Sequence, residues 1–170
     1  LAISAGWPMI AIVASAVLLP SVLTIVPTDI HPAPYKDLAR SLSISGAQQL
    51  LERSHVTSTV TVVDNRRVRL REAPGLSLNS TAVMPHQLAV FVDGDAVGAI
   101  DVLDRNHTDT AYLGEILSAV PYSLLGSPLV LQLKAGLGRG VSQALQLGAR
   151  GVVAVEANPL LVDLVCSSFA

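Results

Sequence analysis

Leu129-Val130-Leu131-Gln132-Leu133-Lys134-Ala135-Gly136-Leu137-Gly138-Arg139-Gly140 decides the fold. Its first five residues are a short apolar run after Pro128, the pattern of a buried parallel strand. Three alternating glycines follow, and Val141 to Leu147 reads as a short helix stopped by Gly148. Gly151-Val152-Val153-Ala154-Val155 is a second apolar strand, ending in Glu156. Asn158-Pro159 opens another helix, with Asn as N-cap and Pro at the first helical position. Strand, glycine loop, helix, strand and acid make a βαβ unit.

That order has a chemical consequence. Glycines at 136, 138 and 140 let the backbone turn tightly and approach a ligand without Cβ clashes. A carboxylate at the end of the second strand, here Glu156, can accept hydrogen bonds from both hydroxyls of a ribose. The dinucleotide spacing G-x-G-x-x-G fails, because position 141 is Val141. The observed G-x-G-x-G belongs with S-adenosylmethionine-type sites, whose ligand has no pyrophosphate. A βαβ unit with purely structural glycines is the alternative.

Upstream the period changes to two. Thr59 to Val63 reads as a strand, and Arg67-Val68-Arg69-Leu70-Arg71 as its hairpin partner. Leu88 to Val92 and Ala96 to Ile100 flank Asp93-Gly94, a pair suited to a two-residue hairpin turn. An antiparallel sheet of four to six strands is expected within residues 48–103. From Thr110, the residues Leu113, Ile116, Leu117, Val120 and Leu124 fall on one helical face, with Pro121 kinking or splitting the helix. Asp101, Asp104 and Asp109 could line a site mouth or be solvated loop acids.

The 170 residues hold 11 basic and 13 acidic side chains, a formal net charge of −2, and 51% hydrophobic residues. Mean hydropathy is +0.54. Such a chain is no disordered tail, and without a basic excess it is no nucleic-acid binder. One cysteine, Cys166, excludes a disulfide framework and a Cys-based zinc site. The four histidines lack helical i, i+4 partners, so no metal is expected.

No charge occurs before Asp29. Trp7 to Val26 is long and apolar enough to predict a membrane span, with Trp7 at an interface. A signal peptide or a buried helix is the alternative. Lys36 and Arg40 then place the following domain in the cytoplasm. Since Leu1 is not methionine, the chain is expected to be a fragment.

Val130 through Val162, with Ala135-Gly136-Leu137-Gly138-Arg139-Gly140-Val141 and Val153-Ala154-Val155-Glu156-Ala157-Asn158-Pro159, resembles the nucleotide half of spermidine synthases (polyamine aminopropyltransferases). Pro34-Tyr35-Lys36, the Asp93-Gly94 hairpin and the segment Tyr112–Leu125 occur in that family's order. The family often carries an acid where Arg139 stands. Tyr112 matches its Tyr-His-Glu motif, with Leu113 and Gly114 at the other two places.

The resemblance implies an α/β chain: an N-terminal transmembrane helix (1–28), a linker (29–47), a small antiparallel β-domain (48–109) and the first βαβ part of a Rossmann-like methyltransferase fold (110–170). It implies a transferase of the membrane-anchored bacterial branch, in the inner membrane. S-adenosylmethionine or its decarboxylated form would be the co-substrate, and a small acceptor such as a polyamine the partner. Membrane lipid is a further partner, and homo-oligomerisation stays open. The ligand-binding residues implied are Gly136, Gly138, Gly140, Glu156, Asn158 and Tyr112. The family's catalytic aspartate region is expected beyond Ala170. A non-catalytic adenosyl-ligand-binding or interaction module is the alternative.

Overall fold

A computed structural model of the chain describes residues 32–102 and 108–168. The chain divides between His31 and Pro32 into two units, and all the described residues belong to the second. In chain order its elements are α1 (Asp37–Leu42), β1 (Ala47–His55), β2 (Ser58–Asn65), β3 (His86–Val92) and β4 (Asp95–Val102). Two 3-10 turns follow, Thr108–Glu115 and Leu117–Ala119, then α2 (Val120–Leu124), β5 (Leu129–Leu133), α3 (Arg139–Gln146), β6 (Gly151–Val155) and α4 (Pro159–Asp163). A π turn, Leu164–Ser168, continues α4.

Strands β5 and β6 pair in parallel, from Leu129 opposite Gly151 to Leu133 opposite Val155. Helix α3 connects them and begins two residues before the expected Val141, because Gly138 already serves as its N-cap. Gly148, at φ +84°, lets Ala149 N–H reach back to the Ala144 carbonyl at 2.9 Å and close the helix. The expectation that β5 is a buried strand is corrected. Leu129, Leu131 and Leu133 are 64–70% exposed, because β5 and β6 form a two-stranded sheet with one uncovered face.

The other sheet has the order β1-β2-β3-β4, antiparallel throughout. The hairpin partner of β2 is β1, not Arg67–Arg71. Asn65 is the reason. Its Oδ1 accepts from Arg67 N at 3.0 Å and Val68 N at 2.9 Å, which turns the chain out of the strand. Both edges of β2 are then taken by β1 and β3. The β3–β4 turn uses Asp93 and Gly94 at φ +52° and +84°, as the Asp-Gly pair predicts.

Alternation in β2 and β3 gives the sheet two apolar faces. Val60, Val62, Leu88 and Val90 pack with Ile100, Leu161 and Leu164. Val63 and Phe91 pack with Leu38 of α1 on the opposite face. The single helix expected from Thr110 is broken at Ile116 rather than at Pro121. Ile116 is extended and bridges Leu76, while Ser77 N donates to Glu115 O and Leu117 N to Gly75 O. A loop from elsewhere has taken the carbonyl and amide that a helix would use. Tyr112, Leu113 and Ile116 are buried, but Leu117 and Leu124 face solvent.

The expected fold class and membrane location need correction. Among the described residues no helix is long and apolar enough to cross a membrane. Helix α3 has 8 residues, about 12 Å at 1.5 Å each, against the roughly 30 Å hydrocarbon core. The helix expected over 1–28 lies outside the described residues. What the structure supports is a mixed α/β unit with a four-stranded antiparallel sheet and one βαβ unit.

Candidate functional site

The glycine loop is held between the ends of β5 and β6. Ala135 N donates to Val155 O at 3.0 Å, and Gly138 N to Ala135 O at 3.0 Å. The three glycines do different work. Gly136 has φ +55°, and a Cβ there would meet only Lys134 O, at 3.9 Å, so the space beside it is open. Gly138 has φ +79° and turns the chain into α3. Gly140 is tight against the Gln132 side chain, whose Cδ would lie 2.8 Å from an added Cβ. Gly140 therefore serves strand–helix packing.

Glu156 closes the loop from the other side. Its Oε2 accepts from Gly136 N at 2.8 Å and its Oε1 from Asn158 N at 2.9 Å. Asn158 caps α4, its Oδ1 accepting from Leu160 N at 3.0 Å, and its Nδ2 donates to Ser58 Oγ at 3.1 Å. The backbone N–H of Asn158, then that of Gly136, holds the Glu156 carboxyl below its ordinary value of 4.5. A lowered carboxyl pKa stabilises above the ordinary value and loses that contribution as pH falls through the lowered one. The protection of the Gly136 and Asn158 amides, taken relative to the intrinsic exchange rate at each pH, should fall on acidification through that window. Unchanged protection in acid would contradict these bonds.

Tyr112 lies in a separate network. It is fully buried, and its hydroxyl donates to Asp101 Oδ2. Asp101 Oδ1 accepts from Gln87 Nε2 at 2.8 Å, and Gln87 Oε1 accepts from Glu72 N at 2.6 Å. Burial, then the Asp101 carboxylate, raises the hydroxyl pKa far above its usual 10.0. That contribution is complete below the ordinary value and is lost as pH rises toward the folded-state one. Tyr112→Phe should cost about 1–2 kcal/mol, read as a shift in urea midpoint, because Asp101 loses a donor. A midpoint unchanged by the substitution would show the bond to be inert.

A cavity of about 110 Å³ is lined by residues of β4, the 3-10 turn Thr108–Glu115, the glycine loop and the start of α3. Asp101, Leu113, Leu137, Arg139 and Ser142 are among its lining residues. The Arg139 Nη1 lies 3.9 Å from Glu72 Oε1. Its Nε and Nη2 are buried without a hydrogen-bond partner.

Gly136, Glu156 and Asn158 are thus joined by direct hydrogen bonds, with Gly138 in the same loop. Tyr112 meets the loop through Arg139, whose guanidinium lies close enough to the Tyr112 hydroxyl to act against the rise in its pKa. Sequence reasoning missed Gln87 and weighed Arg139 only as a departure from a pattern. The signal for Arg139 was its place inside the glycine loop. Asp101 is at the site, whereas Asp104 lies outside the described residues. Among the described residues no group of three or more His, Cys, Asp or Glu could hold a metal ion. Comparison with protein-family models, curated proteins and solved structures returns no match.

Proposed function

We propose that the chain binds an adenosyl ligand of the S-adenosylmethionine class at the Gly136–Glu156 loop, as a transferase similar to spermidine synthases. The observation that carries this reading is the Glu156 carboxylate bonded to Gly136 N across the ends of two parallel strands. Each carboxylate oxygen takes one backbone N–H and keeps a lone pair for a ribose hydroxyl. The open space beside Gly136 and the orphaned Arg139 donors fit a polar ligand lying along the loop.

In such a transfer the acceptor's lone pair forms a bond to the carbon beside the sulfonium. The carbon–sulfur electron pair returns to sulfur, and an amine acceptor gives up a proton. The protein's part is to hold the two reactants in line. A small amine is the acceptor class that the resemblance suggests. A second reading, binding without transfer to an amine, is favoured by Leu113 and Gly114. Leu113 is 1% exposed among apolar neighbours, and neither side chain can hold an ammonium.

Calorimetric titration with S-adenosylmethionine tests the proposal. Glu156→Ala should weaken binding at least about tenfold, the equivalent of one lost charge-assisted hydrogen bond of roughly 1.5–3 kcal/mol. Identical titrations for the wild type and this variant would sink the site. A parallel assay with putrescine and other amines separates the two readings, since the second gives binding but no product.

A further inference from the structure

We infer that the cavity beside the glycine loop takes the α-amino-acid end of S-adenosylmethionine, so that the site selects this ligand over its decarboxylated form. The inference rests on the adenosyl reading of the loop and names which member of the ligand class fits.

Arg139 carries the argument. Nε and Nη2 are the two nitrogens whose N–H bonds run parallel along one edge of a guanidinium. That edge matches the two oxygens of a carboxylate. In this protein both nitrogens are buried and neither has a partner. The side chain as a whole is 21% exposed, but a buried donor left unmet is costly, and few native structures keep one without a reason. The neighbouring anion does not meet the need, since Glu72 faces Nη1, at a distance too long for a hydrogen bond.

The rest of the cavity supplies the complementary charge. Asp101 lines the same space. Its oxygens each accept one bond, from Gln87 and Tyr112, and so are fixed in orientation with a lone pair left on each. A carboxylate on Arg139 and an ammonium on Asp101 is the recognition pattern for an amino-acid zwitterion. A volume of about 110 Å³ admits such a head group but no nucleoside. Leu137 and Arg139 contribute both to this cavity and to the loop, so the head group and a ribose at Glu156 lie on the same ligand path. The decarboxylated ligand would bring an ammonium and no carboxylate. It would leave the Arg139 edge unmet and place like charges together.

The test is calorimetry on the full chain with four probes: S-adenosylmethionine, its decarboxylated form, methylthioadenosine and methionine. S-adenosylmethionine should bind at least about tenfold tighter than the other three, a step of about 1.4 kcal/mol. Arg139→Gln should erase the advantage over the decarboxylated form and over methylthioadenosine while leaving methylthioadenosine binding unchanged, which also reports a folded site. Arg139→Lys, which keeps the charge but not the parallel edge, should recover only part of it. Equal or tighter binding of the decarboxylated form by the wild type would overturn the inference while sparing the adenosyl reading. Methionine binding as tightly as S-adenosylmethionine would overturn the adenosyl reading, because the nucleoside would then add nothing, and with it the inference that rests on that reading. Failure of all three adenosyl compounds to bind would overturn both.

Discussion

Gly138→Val should abolish S-adenosylmethionine binding and lower stability by at least about 1–2 kcal/mol. Gly138 sits at φ +79° as the N-cap of α3, a conformation that β-branched residues scarcely adopt. An added Cβ would already lie 3.4 Å from Val165 Cγ1, and valine brings two further methyls. Relief requires the loop to move, and the Gly136 amide held by Glu156 moves with it. Gly136→Ala separates strain from ligand exclusion. A Cβ there meets only Lys134 O at 3.9 Å, so the fold should survive, at a backbone cost of about 1 kcal/mol. Binding should still fall more than about tenfold if the ligand lies against Gly136. Calorimetry and urea unfolding on both variants decide the matter. A stable Gly136→Ala protein with wild-type affinity would show that no ligand uses the open space.

Leu164→Ala should be the most destabilising single truncation near the site, at about 2–5 kcal/mol. Leu164 is 1% exposed and packs among Val60, Val62, Leu88, Val90 and Ile100. It fastens the segment after β6 to the antiparallel sheet, so its loss leaves a cavity between the two strand systems. The same segment is also joined to β1 by the Arg53–Asp163 ion pair. That pair is solvent-exposed, and Asp163→Asn should cost no more than about 1 kcal/mol. Denaturant midpoints for the two variants should therefore differ widely. Similar shifts would mean that the exposed pair, and not apolar burial, holds this segment in place.

Several functional contacts were visible in the chain because they are local. Glu156, Asn158 and Leu160 follow one another within a few residues, and the cap geometry depends only on their order. The positive φ of Gly148 follows from the left-handed residue that closes a short helix, and glycine at 138 permits the left-handed turn into α3. The Arg139 cavity was not visible in that way. Tyr112 and Asp101 are 11 positions apart, and Gln87 and Asp101 are 14 apart, with no shared period. Gln143 Nε2 meets Leu113 O across 30 positions, at 2.7 Å.

Hydrophobic period, turn residues and caps thus determined by themselves that β5, α3 and β6 form a parallel unit with an acid at its edge. They also set the Asp93-Gly94 hairpin. Each of these follows from steric limits within a few residues, which no distant contact overrode. Tertiary structure alone decided the rest. Arg67 to Arg71 alternates like a strand, but β1 had already taken the free edge of β2. The segment after Thr110 has helical spacing, but Gly75 and Ser77 took its backbone partners at Ile116. Arg139 reads as one more residue of a glycine loop until the fold sets it around one cavity with Ala99, Ile100 and Asp101 of β4 and buries its Nε and Nη2. Burial belongs to no residue singly, and burial is what turns that side chain into a site.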